Sequence, residues 1–287
     1  MMTPTTQSNE NTEQIEPRFP PAGEESNPLV TILLASYNRL PELKKAIKSA
    51  LRQDYPAIEI VIIDDGSNAV TQYFLRRLHA LSKQIHVYFQ NNQGPAAARA
   101  NGIIRSSGEY ICILDSDDIL RKEAVSTIIK AFSREKQLDL VHVNNRKIYK
   151  NKVVGKSRYT NQCDTGKLAR DVYLSPVVPF KHSGMAFRRE TVLALGNYDP
   201  SLPRKIDIDM FLRFLTNGKK IKLLETPPLV DFVQNDDSIS RSRLKGIQCW
   251  FVIINKYEKR LMFRIMYKTI RVASELGKML VETIRYN

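Results

Sequence analysis

Three carboxylates stand directly after a short apolar run in the middle of the chain. Tyr110–Leu114 is apolar and partly β-branched, as buried strands are, and Asp115, Asp117 and Asp118 follow it at once. Because alternate side chains of an extended backbone share a face, Asp115 and Asp117 point to one spot. Two carboxylates aimed at one spot favour a hard cation, Mg2+ or Mn2+, that keeps positions open for substrate phosphates. The alternative is that Asp118 caps the helix predicted to begin near Arg121, which leaves Asp115 unexplained.

Polar residues also follow the first two predicted strands. The first strand ends in the run from Ala35 to Arg39, where Tyr37 could stack on a base and Asn38 or Arg39 could reach polar atoms of a nucleotide. A tyrosine at such an edge is also an ordinary packing residue. The second strand ends at Asp65, whose carboxylate could accept a hydrogen bond from the N–H of a pyrimidine or could begin an Asx-turn. Both alternatives stay open at each strand end.

A glycine and a proline open the next predicted helix. Gly94 and Pro95 are followed by three alanines and Arg99, so that a ligand could approach the backbone closely at a positively polarised helix end. This arrangement suits a diphosphate. The chain contains neither GxGxxG nor GxxxxGK[ST], which excludes the dinucleotide fingerprint and the P-loop.

Strand-like apolar runs alternate with amphipathic helical patterns between Leu29 and Val143. This alternation predicts right-handed βαβ units, and hence an α/β fold with a mostly parallel central sheet and helices on both faces. After Val143 the rhythm breaks into mixed elements. Residues 1–28 are polar and carry a net charge of −4, which predicts a flexible tail.

The C-terminal region, residues 241–287, is basic, with a net charge of +8 out of +14 for the whole chain. It is predicted to form amphipathic helices whose basic stripe contains Arg260, Arg264, Lys268 and Arg271. Either these helices pack on the domain with a solvated face, or they bind an anionic membrane surface. The basic residues show no aromatic interleaving and no helix-turn-helix pattern, so a nucleic acid is not expected as a partner.

The three cysteines are odd in number and share no metal spacing, and Cys112 lies inside a predicted strand. This pattern indicates a reducing compartment rather than a disulfide framework. No window has the roughly 18 apolar residues of a membrane span, and the N-terminus does not read as a secretory signal. The sequence therefore predicts a cytoplasmic location, with attachment to the inner face of the membrane as the variant.

Four motifs in this order resemble the family 2 glycosyltransferases of the GT-A fold: Val30–Arg39, Ile62–Ser67, Gly94–Gly102 and Leu114–Asp118. The resemblance covers residues 29–240. It implies an inverting transfer of a sugar from a nucleotide-sugar, often a UDP-sugar, to a hydroxyl of a glycan or lipid-linked acceptor, with Mn2+ or Mg2+. The QxxRW signature of processive synthases is absent, so a single addition is expected.

The resemblance also implies roles for individual residues. Tyr37 matches the aromatic that stacks on the base, and Asp65 matches the residue that binds uracil. Asp115-Ser116-Asp117 corresponds to the DxD motif that binds nucleotide and metal, with Asp118 as a neighbouring metal ligand. The nucleotide site is completed by residues of the other motifs, namely Ala35, Asn38, Arg39, Gly94 and Arg99.

On the acceptor side, the run Lys205–Arg213 aligns with the helix that carries the family's catalytic base, which places the base at Asp207. The acid that usually precedes it is replaced by Ile206. The alternative is that Asp207 caps this helix and that Asp209 is solvated. His182 could touch acceptor or diphosphate, or be structural, and Asn235 stands where many relatives carry a histidine. These departures keep open a second interpretation, a catalytically inactive nucleotide- or glycan-binding module of the same fold.

Overall fold

The computed structural model describes residues 27–157, 165–175, 180–234 and 243–286. The predicted N-terminal tail lies almost wholly outside the described residues, and so does Asn235. The strands are β1 (Val30–Ser36), β2 (Ile58–Asp64), β3 (Ile85–Phe89), β4 (Tyr110–Ile113), β5 (Ile119–Leu120), β6 (Leu140–His142), β7 (Asn145–Tyr149), β8 (Lys152–Lys156), β9 (Met185–Arg188), β10 (Ile221–Leu223) and β11 (Val230–Gln234). The helices are α1 (Leu40–Ala50), α2 (Ala69–Leu81), α3 (Pro95–Arg105), α4 (Ala124–Arg134), α5 (Thr165–Leu174), α6 (Arg189–Ala194), α7 (Ile206–Thr216), α8 (Arg243–Tyr257) and α9 (Leu261–Tyr286).

The central sheet has seven strands in the order β10-β6-β9-β4-β1-β2-β3. β1 pairs in parallel with both β2 and β4, and β9 is antiparallel to both of its neighbours, β4 and β6. The strands that carry the predicted motifs are therefore adjacent and point the same way. The α/β fold class with a mostly parallel sheet, predicted from the strand–helix alternation, is confirmed.

Helices cover both faces of this sheet because its strands are apolar on both sides. One face packs against α1, α2 and α4 through residues such as Leu43, Leu75 and Ile128. The other face packs against α3, α7, α8 and α9, and Phe211 and Trp250 are buried there. Alternation along β1 divides its side chains between these two layers, with Ile32 in the first and Leu33 in the second.

The C-terminal helices are part of this second layer. Trp250 of α8 is 1% exposed, and the Arg271 guanidinium of α9 lies 4.0 Å from the centre of its ring. Arg271 is itself buried and donates to the carbonyl of Val172. The prediction that Arg271 belongs to a basic surface stripe is therefore wrong: its guanidinium stacks on the indole instead of facing water. No helix within the described ranges is long and apolar enough to cross a membrane.

A second, four-stranded sheet has the order β5-β11-β7-β8 and lies next to the acidic motif. β11 pairs in parallel with β7 and antiparallel with β5, which follows directly after Asp118. β7 and β8 form a hairpin whose turn residues, Lys150 and Asn151, have positive φ. This small sheet positions Val233 near the end of β4.

Candidate active site

The carboxyl ends of β1 and β2 are joined by hydrogen bonds. The amide of Asn38 donates to Ser67 Oγ at 3.0 Å, and the amide of Asn68 donates to Asn38 Oδ1 at 2.7 Å. Asn38 has a φ of 54°, a left-handed conformation that asparagine tolerates. Tyr37 stands beside these bonds and is 50% exposed, so its ring is open to a planar ligand at the sheet edge.

Asp65 organises the loop that leads into α3. One carboxylate oxygen accepts from Gln90 Nε2 at 2.7 Å and from the Gln93 amide at 2.8 Å, and the other accepts from the Gly94 amide at 2.9 Å. Gly94 has a φ of +90°, which favours glycine, and Pro95 begins the helix. The Asp65 carboxylate is therefore buried and holds the helix N-terminus at the sheet edge.

Asp115 lies beside α3 and is paired with Arg99. Arg99 is buried and its other guanidinium nitrogen donates to the Pro95 carbonyl at 3.1 Å, so it cannot swing freely. Burial raises the pKa of the Asp115 carboxyl, but Arg99 and then His182 outweigh burial and hold that pKa below its ordinary value. Asp115 is thus an ionised group that links the third and fourth motifs.

Asp117 is paired with Arg39 at the start of α1. Burial and the neighbouring charge of Asp115 raise the pKa of the Asp117 carboxyl. Its side chain is 21% exposed, so one approach from the cleft is open. A divalent cation that binds two carboxylates and substrate phosphates fits Asp117 and Asp115 if Arg39 moves aside, because the cation would take over its charge-compensating role. No group of three or more histidine, cysteine or acidic side chains within the described ranges forms a complete metal cage.

Asp118 occupies a different environment. Its carboxylate accepts from Ser183 Oγ at 2.5 Å and from the Val233 amide at 2.9 Å, and it is 1% exposed. Burial, together with the charges of Asp115 and Asp117, raises its pKa well above the ordinary value. These contacts join β4, β11 and the segment before β9. They suit a structural acid better than the metal ligand that the sequence predicted, and they show no helix cap either.

His182 lies against Asp115 and Tyr198. Its Nε2 is 2.7 Å from Tyr198 Oη, and its Nδ1 is 3.7 Å from Asp115, which is too long for a hydrogen bond. Burial and the nearby Arg99 lower the pKa of His182 to about 4, so the ring is neutral near pH 7 and does not form an ion pair with Asp115. Burial also raises the pKa of the Tyr198 hydroxyl. The pair is a neutral, polar wall of the site.

Asp207 lies in the first turn of α7 and is partly exposed. Its negative charge raises the pKa of both His182 and Tyr198, which approach or contact the side chains around Asp115. The two carboxylates therefore act on the same cleft. Ile206, which stands where the family usually has an acid, is 6% exposed and packs in the core.

Asp209 is not solvated, contrary to the alternative stated for it in the sequence. It is 1% exposed, pairs with Arg213 on its own helix, and accepts from Lys256 Nζ at 2.8 Å and Tyr257 Oη at 2.7 Å on α8. These bonds attach the C-terminal helices to the helix that carries Asp207. Asp209 is turned away from Asp207 and has a structural role.

Three parts of the site were missed by sequence reasoning. Ser183 connects Asp118 to the Asp115 amide, to which its Oγ lies at 2.9 Å, and Tyr198 holds His182. Gln90 helps to fix Asp65. Serine, tyrosine and glutamine at these positions have no characteristic spacing, so only the folded chain reveals them. The remaining predicted nucleotide residues, Ala35 and Ser116, lie at the same edge and are partly exposed.

Comparison with known proteins agrees with this geometry. The model of "Glycosyl transferase family 2" matches residues 31–195, more than half of the chain. Among curated proteins, a chondroitin synthase of Pasteurella multocida is 26% identical over 76% of this chain and 24% of its own length. A GalNAc(5)-diNAcBac-PP-undecaprenol beta-1,3-glucosyltransferase of Campylobacter jejuni is 34% identical over 36% of this chain and 34% of its own. The chain thus spans about a quarter to a third of these relatives.

Solved structures show the same fold. S. aureus TarS 1-349 in complex with UDP-GlcNAc has a TM-score of 0.66 at 16% identity and covers 87% of this chain and 73% of its own. A mannosyltransferase from Pyrobaculum calidifontis, in complex with GDP-Man and Mn2+, has a TM-score of 0.62 at 16% identity and covers 91% and 76%. On the family match and the shared architecture, the chain belongs to glycosyl transferase family 2 and has the GT-A fold.

Proposed function

We propose that the protein transfers a hexose or N-acetylhexosamine from a UDP-sugar to a hydroxyl of a glycan or lipid-linked acceptor, with inversion and with Mn2+ or Mg2+. The observation that carries the proposal is that Asp115 and Asp117, each paired with an arginine, share one cleft with Asp207. The relatives named as glycosyltransferases and the neighbour bound to UDP-GlcNAc support a nucleotide-sugar donor.

The donor is placed along the ends of β1, β2 and β4. Tyr37 offers an exposed ring for the base, and the N-terminus of α3 with Arg99 and Arg39 offers positive charge to the diphosphate. The carboxylate of Asp65 keeps the loop before α3 in place and has remaining lone pairs for a uracil N–H. Asn38 fixes the spacing between the first two strand ends.

Asp207 acts as the general base. It accepts the proton of the acceptor hydroxyl while that oxygen attacks the anomeric carbon and the nucleoside diphosphate leaves from the opposite side. The start of α7 favours the ionised carboxylate because the helix dipole is positive there. Neutral His182 and Tyr198 line the cleft without competing for this proton.

Asp117 and Asp115 would hold the divalent cation together with the diphosphate oxygens. When bound, such a cation supplies positive charge that stabilises the departing diphosphate. Arg39 is the side chain that it displaces, and Arg39 then lies free to pair with the nucleotide. Asp118 stays with Ser183 and Val233.

A screen of UDP-, GDP- and dTDP-sugars by thermal unfolding, with and without Mn2+, tests the donor proposal. At a ligand concentration of roughly 100 times Kd, binding adds about 2.7 kcal/mol to the free energy of unfolding. Slow hydrolysis of the selected donor, stopped by EDTA, completes the test. Stabilisation by UDP without turnover of any donor would instead identify the inactive binding module.

We also propose that α9 lies on an anionic membrane. Its first turns expose an apolar face made of Leu261, Met262, Ile265 and Met266, next to the cationic Lys259 and Arg260. Sedimentation with vesicles containing phosphatidylglycerol should be lost in an Ile265→Glu variant and at high salt. Equal sedimentation with neutral vesicles would contradict the proposal.

A further inference from the structure

Two lysines stand on either side of the base without an anionic partner of their own. Lys181 immediately precedes His182, and its Nζ is 5.0 Å from the centre of the Phe232 ring. Lys205 is the residue before α7, and its Nζ is 5.1 Å from the Trp250 ring. Neither ammonium group forms an ion pair with a carboxylate of the described residues. Each is held over an aromatic face, which attracts a cation but leaves its N–H donors available.

Both ammonium groups are costly where they lie. Burial lowers the pKa of Lys181 and of Lys205, and the charge of Asp207 opposes this effect for each of them. Both therefore lie within electrostatic reach of the same base. Lys278 of α9 lowers both pKa values further, although its own Nζ is paired with Glu275 at 3.1 Å. Three ammonium groups thus surround one space next to Asp207, and an anion placed there would restore their lost stabilisation.

We propose that Lys181 and Lys205 form a subsite for an anionic group of the acceptor, a carboxylate or a phosphate carried close to the hydroxyl that receives the sugar. The proposal rests on the proposed function, because it takes Asp207 as the place where that hydroxyl loses its proton. The two lysines reach the cleft from different elements, the segment before β9 and the start of α7. An anion between them would be bound by charge-assisted hydrogen bonds from both sides.

The donor diphosphate does not need these lysines. Arg39, Arg99 and the N-terminus of α3 already supply its positive charge at the ends of β1 and β4. Lys181 and Lys205 instead lie with Phe232 of β11 and Trp250 of α8. Anionic acceptors are therefore selected at a place separate from donor binding, which also makes the two functions separable by experiment.

The experiment measures binding of small probes to the full chain saturated with UDP and Mn2+, so that the diphosphate site is occupied. Glucuronate and glucose 6-phosphate are the anionic probes, and glucose is the neutral one. We expect the wild type to bind both anionic probes at least about tenfold more tightly than glucose, as a charge-assisted hydrogen bond implies. The ratio of the two anionic affinities shows whether carboxylate or phosphate is preferred.

The Lys181→Gln, Lys205→Gln double variant should lose this preference, and the matched control Lys130→Gln, on α4 at the other face of the sheet, should keep it. Arginine at both positions should restore the preference, which a merely structural role would not require. Absence of the preference in the wild type, or its survival in the double variant, would overturn the proposal. Failure of UDP to bind would instead count against the proposed function.

Discussion

The donor edge and the base side of the cleft are built in different ways. At the donor edge, the polar side chains come from consecutive strand ends and are already satisfied: Asp65 by three hydrogen bonds, Asp115 by Arg99 and Asp117 by Arg39. On the base side, Asp207 depends on segments far apart in the chain, and Lys181 and Lys205 lack anionic partners. The donor edge is therefore preorganised, whereas the base side is completed by what it binds.

Replacing the base should separate the two regions most strongly. We expect Asp207→Asn to lower kcat for transfer by about 1,000-fold, within the range for loss of a general base, while UDP affinity changes little. Single-turnover transfer and UDP titration measure the two effects. Asp54→Asn, an exposed acid at the end of α1, is the control. Equal losses of UDP affinity and kcat would place Asp207 at the donor edge.

Asp209 tests how the base side is held. Asp209→Asn leaves Arg213 and Lys256 without their buried counter-charge, so we expect the free energy of unfolding to fall by about 4 kcal/mol. Asp199→Asn removes a more exposed partner of the same Lys256 and should cost less than about 1 kcal/mol. Urea unfolding of both variants measures the difference, and similar costs would show that Asp209 is not the anchor.

Acid should weaken the base side through His142, whose Nε2 lies 2.7 Å from the carbonyl of Lys181. Burial lowers the pKa of His142 to about 4 from its ordinary value of about 6.5. Because the unfolded chain binds more protons between these values, stability falls as pH drops from 6.5 toward 4, by about 3 kcal/mol for this residue. A His142→Gln variant should show a flatter decline in urea unfolding at pH 7, 5.5 and 4.5. An unchanged slope would refute the assignment.

Arg39 offers the mildest test, at the donor edge. Its pair with Asp117 competes with a cation, so Arg39→Ala should bind Mn2+ alone about threefold more tightly, the scale of a partly exposed ion pair. With UDP present the sign should reverse, because the diphosphate loses a partner. Measurement of free Mn2+ by electron paramagnetic resonance, with Arg52→Ala as control, records both. The same sign in both titrations would exclude an exchange of partners.

This contrast also explains what the sequence could and could not predict. Strand ends that carry Asp65 or Asp115 are local patterns, so the sheet, its parallel order and the donor edge follow from residues close in sequence. Asp209 and Arg271 are charged residues at helical spacing, and spacing alone does not tell which face packs. Their burial depends on Tyr257 and Trp250, which arrive from α8 only after folding.

Lys256 and Tyr257, at the end of α8, grip an acid only two residues from the base. A shortened protein that stopped before α8 would therefore not be a minimal catalyst, since it would strip the bedding from beneath Phe211 and Trp250's neighbours. By the same linkage, a lipid bilayer that pulled on α9 would exert its force one helical turn from the proton-accepting group, so that location and turnover become mechanically related.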